Sequence, residues 1–212
     1  MDIVEFVKSS PIQTFQKDEL LATAGQQNTH FYAIREGFIR VSSIDDTGRH
    51  TLLWIAGRYD IVPLEQFFSQ KNLRYFYSGY GDGSVYVIEK QQLLDAFERH
   101  PKVISEVARG LSEHYDDLLE RMNAVEQSDV RSKLLHIIHN LCLKFSSVEQ
   151  VNLHELGLNL THQDLADMIG STREATSLEL GKLRKEGYIN YSRSEFTVNL
   201  AKIKEEINLY ET

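Results

Sequence analysis

Residues 160–183, LTHQDLADMIGSTREATSLELGKL, read as two short helices joined by a tight turn. Thr161 suits an N-cap, and Asp164 three residues on puts negative charge where the helix dipole favours it. Leu165, Ala166 and Ile169 recur at helical spacing and make a buried stripe. Gly170 ends this first helix, as glycine does where the backbone turns left-handed. Ser171 or Thr172 caps the second helix, which we place over residues 172–186. On it Thr176, Leu180 and Leu183 share one face, while Arg173, Glu174, Ser177, Leu178 and Gly181 take the other. A helix held by its partner, with Arg, Glu and Ser on its free N-terminal half, is how a helix-turn-helix offers side chains to the major groove. The rival reading is a helical hairpin with an ordinary solvated face. The residues C-terminal to the motif favour the first reading. Tyr188-Ile189-Asn190-Tyr191, Ser192-Arg193-Ser194 and Phe196-Thr197-Val198 read as strand, polar turn and strand. A hairpin directly after the second helix makes a winged helix-turn-helix.

Composition narrows the classes. The 212 residues are 42% hydrophobic and 25% charged, the profile of a globular chain long enough for one or two cores. No apolar run approaches the length of a membrane span, and MDIVEFVKSS lacks the layout of a signal peptide. Cys142 is the only cysteine, so an intramolecular disulfide and a cysteine-ligated iron-sulfur cluster within one chain are excluded. A cytoplasmic location is expected. The net charge of −8 argues against a generic nucleic-acid coat. It leaves room for a sequence-specific reader, because Arg173, Lys182, Arg184, Lys185 and Arg193 cluster in the motif and its wing.

Upstream, residues 2–8 read as a short helix. Residues 14–90 then carry strand-like runs at 20–22, 31–34, 38–41, 51–55, 75–77 and 85–88, separated by Gly- and Asp-rich turns. Such spacing predicts a small sandwich or barrel, with Phe38, Arg40 and Ser42 alternating against Ile39 and Val41. Pro101 suits a first helical turn. From there Ile104, Ala108, Leu111, Tyr115, Leu118, Met122 and Val125 step alternately by four and three, an unbroken apolar seam flanked by charge. A helix over 101–126 would be about 39 Å long. Packing along its own domain would explain it, but so narrow a seam fits a two-chain coiled coil better. Residues 127–132 read as a polar hinge, with Ser128 or Asp129 capping a helix that runs to about Phe145. Residues 146–159 read as a loop with a short strand near 151–153, and residues 203–209 as a last helix.

This order of parts resembles the family of the cyclic-AMP receptor protein and the fumarate-nitrate regulator. The sharpest match is LTHQDLADMIGSTREATSLELGKLRKEGYI; a second is FQKDELLATAGQQNTHFYAIREGFIRV, with Gly25 and Gly37 at its turns. The resemblance implies an α+β chain: a jelly-roll, cupin-like sensor domain over residues 1–100, a dimerisation helix over 101–127 and a winged helix-turn-helix domain over 128–212. It implies a homodimeric transcription regulator on double-stranded DNA with an inverted-repeat site, and RNA polymerase as a candidate partner.

The family's Arg-Glu pair and following Ser are matched by Arg173, Glu174 and Ser177, but Leu178 stands where a second Arg is usual. Arg173 can donate two bonds to guanine, Glu174 can accept from cytosine, and Leu178 can touch a thymine methyl. Glu174 has a second reading: with Ser171 as N-cap it would complete a capping box. Thr161, His162 and Gln163 match positions that hold the DNA backbone in the family, although simple capping would also place them there. Ser171, Thr172, Lys182 and Arg193 complete the expected DNA-binding set. Gly181, mid-helix, fits a close backbone approach.

The sensor domain departs from the pattern. Val62-Pro63 stands near the Gly-Glu pair of cyclic-AMP binders, and Arg74 is followed by Tyr75 rather than Ser or Thr. Proline removes a backbone donor that a phosphate cradle needs. Cyclic AMP is therefore not expected to bind in the usual way. The candidate effector pocket is Pro63, Glu65, Arg74 and Tyr75. The aromatic residues Phe67, Phe68, Tyr75, Phe76, Tyr77 and Tyr80 either fill it or line one for an apolar ligand. Two alternatives are a cyclic-nucleotide regulator with a divergent pocket and a DNA-free partner-binding dimer.

An enzyme reading finds little. A metal-dependent cupin wants a His-x-His pair, but Tyr32 follows His30 at the second position, ahead of Glu36. His136, His139 and Cys142 drift around their helix rather than converging. No Ser-His-Asp set, P-loop or dinucleotide fingerprint is present. Neither a cofactor nor a metal is expected.

Overall fold

The computed structural model describes residues 2–46, 48, 50–150, 153–192 and 195–207. The chain forms two compact units, Met1–Tyr115 and Asp116–Thr212. The division falls inside a single helix rather than at its ends.

The first unit opens with α1 (Ile3–Lys8), started by a capping box between Asp2 and Glu5. Eight strands come next: β1 (Ile12–Phe15), β2 (Leu20–Ala22), β3 (His30–Glu36), β4 (Ile39–Ile44), β5 (His50–Ala56), β6 (Ile61–Val62), β7 (Phe76–Gly79) and β8 (Gly83–Glu89). They make two antiparallel sheets, ordered β1-β8-β3-β6 and β2-β7-β4-β5. Alternation along β3 and β8 explains the layering. Ile34 and Val85 point into the sandwich with Ile39, Val41 and Tyr77. Phe31, Ala33 and Ile88 point the other way, onto Leu93 and Phe97 of α2 (Lys90–Arg99) and onto Val103 and Val107 of α3 (Pro101–Glu126). One sheet is thus covered on both faces.

At Gly37 the turn needs both a positive φ of 81° and no side chain, since a Cβ would come within 2.6 Å of the Asp82 carbonyl oxygen. Helix α2 was not read from the sequence, although Leu93, Ala96 and Phe97 bury one face of it. Strands β1 and β6 also went unread; one has only Phe15 buried and the other spans two residues. Ser42 is a correction. It is buried beside Val41, because the β4–β5 register shifts there and breaks the alternation.

In the second unit α4 (Val130–Phe145) is capped by Asp129, whose carboxylate accepts from the Ser132 N–H at 2.9 Å. The segment expected to be a loop with a short strand near 151–153 is instead β9 (Ser146–Gln150) and β10 (Leu153–Asn159), and residues 151 and 152 of that expected strand lie outside the described residues. Leu156 and Leu158 alternate inward, which favours a strand. After α5 (His162–Ile169) and α6 (Arg173–Lys185) come β11 (Ile189–Ser192), β12 (Glu195–Asn199) and α7 (Leu200–Glu206). The sheet order β11-β12-β10-β9 shows that the wing is two strands of a four-stranded sheet, not a free hairpin. The last helix starts earlier than expected, and Leu209 lies outside the described residues.

Candidate nucleic-acid interface

Helix α5 begins in a complete capping box: Thr161 Oγ1 accepts from the Asp164 N–H at 3.1 Å, and the Asp164 carboxylate accepts from the Thr161 N–H at 2.9 Å. It ends on Gly170 in the left-handed region, at φ 62° and ψ 41°. Arg121 of α3 donates through Nε to the Met168 carbonyl, a cation at the negative end of the α5 dipole.

The N-cap of α6 is Thr172, whose Oγ1 accepts from the Ala175 N–H at 3.2 Å. Ser171 therefore does not cap this helix, and the capping box expected between Ser171 and Glu174 does not form. Glu174 remains in the first turn, where its charge complements the dipole. Thr176, Leu180 and Leu183 are fully buried, while Arg173 and Glu174 are exposed and Leu178 is 66% exposed. Arg173 and Glu174 have no hydrogen-bond or ion-pair partner among the described residues.

Other members of the expected set are less open. Ser177 Oγ lies 2.9 Å from His162 Nδ1, so its hydroxyl is already engaged. The His162 ring meets Tyr191 of β11 edge-on at 5.3 Å, and the Arg184 guanidinium lies 5.1 Å from the same Tyr191 ring. Burial, then the nearby Arg173 charge, holds the His162 imidazole below its usual range. Gln163 donates to Asp167 at 2.7 Å. Lys182 donates to Glu179 at 2.7 Å, yet its side chain stays 54% exposed. Thr161 and Thr172 are exposed and Ser171 is half-buried. Arg193 lies outside the described residues.

Sequence reading missed the residue that anchors α6 from behind. Arg131 at the start of α4 pairs with Glu179 at 3.4 Å, Glu186 at 2.7 Å and Glu206 at 3.3 Å, and lies over the Tyr188 ring. Its carboxylates are 48 to 75 positions away, beyond the reach of any local pattern.

Helix α3 shows two faces. Val103, Val107 and Ala124 are buried. Of the seam, Ile104, Ala108, Tyr115, Leu118 and Met122 are exposed in the single chain, and Val125 is half-buried. Leu111 is half-buried and packs partly on the core of its own unit.

In the sensor region Pro63 precedes a short 3-10 turn at Leu64–Gln66. Glu65 accepts the Tyr77 hydroxyl at 2.7 Å, and burial followed by this carboxylate pushes the Tyr77 phenol up. Arg74 is exposed and has no hydrogen-bond or ion-pair partner among the described residues. Phe67 stacks on Phe31 at 4.7 Å, and Tyr77 is buried in the sandwich. Tyr75, Phe76 and Tyr80 are half-buried, and Phe68 is 63% exposed. The aromatic residues therefore do not line one common cavity. Elsewhere, His139 and Cys142 are buried in the α4 core, and burial pushes the Cys142 thiol up to about 11.

Comparison with known proteins adds to this geometry. Residues 132–204 match the Crp-like helix-turn-helix domain, and residues 12–100 match the cyclic nucleotide-binding domain. The chain is similar to the anaerobic regulatory protein of Bacillus subtilis (strain 168), 28% identical over 203 residues that cover 91% of this chain and 82% of that protein. It belongs to the family of the cyclic-AMP receptor protein and the fumarate-nitrate regulator. The global nitrogen regulator of Nostoc sp. (strain PCC 7120 / SAG 25.82 / UTEX 2576) is a second family relative, 22% identical across 89% of this chain and 85% of its own length. The fold is shared with FixK2 from Bradyrhizobium japonicum, with a TM-score of 0.80, 14% identity and coverage of 96% of this chain and 99% of that one. As a family member the chain is a DNA-binding transcription regulator. Helix-turn-helix regulators of this family bind DNA and act as dimers. Among the described residues no helix is long and apolar enough to cross a membrane.

Proposed function

We propose that two copies of this chain pair through Ile104, Ala108, Tyr115, Leu118, Met122 and Val125, with Leu111 at the seam's inner edge, and set two α6 helices about 34 Å apart in successive major grooves. Arg173 and Glu174 read base edges, Leu178 lies against a thymine methyl, and Thr161, His162, Gln163, Ser171, Thr172, Lys182 and Arg193 hold sugar and phosphate. The observation that carries this reading is the split of α6: Thr176, Leu180 and Leu183 are buried while Arg173, Glu174 and Leu178 face outward. The half-site then differs from that of relatives with a second Arg, because a leucine cannot read guanine.

The protein works in the cytoplasm and performs no catalysis of its own; RNA polymerase is its proposed partner at a promoter. Effector control runs through the sandwich domain, by a ligand other than cyclic AMP held in the usual way. Glu65 is already bonded to Tyr77, and Arg74 has no Ser or Thr beside it. Calorimetry with cyclic AMP is expected to show no tight binding, and tight binding lost in Arg74→Ala would overturn this part. The decisive test is selection of bound duplex from a random pool. An inverted repeat with half-sites about one helical turn apart is expected. Recovery of no preferred sequence, or a strictly monomeric protein, would favour a DNA-free partner-binding role instead.

A further inference from the structure

The first turn of α5, the middle of α6 and the first wing strand meet at one imidazole. His162 bonds Ser177 on α6 and packs edge-on against Tyr191 on β11. We propose that His162 is a positioning residue for DNA recognition, setting which hydrogen bond Ser177 can offer and taking up a proton when DNA binds. This rests on the DNA-reading role of α6 proposed above.

The chemistry turns on one hydroxyl. When Nδ1 carries no proton, it accepts the Ser177 proton, and the serine offers DNA only lone pairs. In the imidazolium Nδ1 must donate, so Ser177 keeps its own proton for a base or phosphate acceptor. The surroundings favour the neutral ring in the free protein. From α6 it faces the Arg173 cation and the Ser177 hydroxyl. From β11 it faces Tyr191, which also carries the Arg184 guanidinium at 5.1 Å. On its own helix the Asp164 carboxylate is committed to Thr161, and Asp167 accepts from Gln163.

DNA reverses this balance. The capping box uses the N–H groups of Thr161 and Asp164, and leaves the first-turn N–H groups of His162 and Gln163 without intrahelical acceptors. A phosphate drawn there by these donors and the helix dipole sits beside the ring and favours its charged form. The same duplex occupies Arg173 and weakens its repulsion of the imidazolium. Proton and DNA then promote each other's binding, as linkage requires.

The probe is the duplex recovered from the random pool. Titration calorimetry in two buffers of different ionisation enthalpy is expected to show proton uptake near pH 7, and His162→Gln to abolish most of it. Wild-type affinity should rise several-fold, on the order of 3–10, from pH 8 to pH 6, since a histidine ordinarily titrates near 6.5. His162→Gln and His162→Arg should both flatten that rise, the latter while keeping tight binding. Ser177→Ala should retain the proton uptake and lose preference only at the base pair beneath it. Zero uptake by the wild type, or an unchanged pH slope in folded His162→Gln, would overturn the inference while leaving DNA recognition intact. A wild type that binds no duplex at any pH would instead remove the DNA-reading role itself.

Discussion

Helix α6, proposed to read DNA, and the stretch around Glu65 and Tyr77, proposed as an effector region, differ in how they commit their polar side chains. On α6 the charged residues of the N-terminal turn, Arg173 and Glu174, are exposed and without polar partners among the described residues. In the sandwich Glu65 is bonded to Tyr77, while Phe67 and Tyr77 are buried in core. A surface that reads a ligand must keep bonding capacity in reserve, because groups already satisfied within the chain gain little from exchanging partners. By that criterion the first turn of α6 keeps its bonding capacity, Glu65, Phe67 and Tyr77 are committed within the fold, and Arg74 of the same segment stays open among the described residues.

The contrast can be broken by substitution. Phe67→Ala should have the largest effect, a loss of about 3–5 kcal/mol of stability, because the ring is 2% exposed and stacked on Phe31. Denaturant unfolding measures it; a loss below about 1 kcal/mol would mean that the side chain borders space for a ligand. Arg173→Ala should do the reverse, with the melting temperature unchanged and DNA affinity lower by about 1–3 kcal/mol, together with relaxed preference at one base pair. Anisotropy titration on wild-type and substituted duplexes measures both. Tyr77→Phe should cost about 1 kcal/mol in stability by removing the bond to Glu65, with no change in DNA binding.

Gly181→Ala is the smallest and sharpest test. A Cβ there meets nothing within 4 Å, so the free protein should gain about 0.5–1 kcal/mol in helix stability. If the DNA backbone approaches this face, affinity falls at the same time. Opposite signs in the two measurements would separate recognition from packing at a single atom.

Much of the fold was legible because its signals are local. Thr161 capping α5, Gly170 ending it and the Thr176-Leu180-Leu183 stripe of α6 all lie within a few residues of what they control. Helix α3 was legible for the same reason. The misreadings came where local pattern was thin or ambiguous. The register shift at Ser42 puts an ordinary polar residue in the core, and β10, which pairs with β9 on one side, gains its other partner from the wing some forty residues later. Ser171 and Thr172 are equally good caps by type, and only backbone geometry chose Thr172.

Sequence alone therefore settled the two-helix motif, the sandwich and the long helix α3, since caps, turns and periodicity act over one or two turns of chain. Tertiary structure alone decided that Ser177 is held by His162, that Arg131 clamps three distant carboxylates, and that Glu65 is bonded to Tyr77. These pairings join residues 12 to 75 positions apart, and which donor meets which acceptor at such separations depends on how the hydrophobic layers pack.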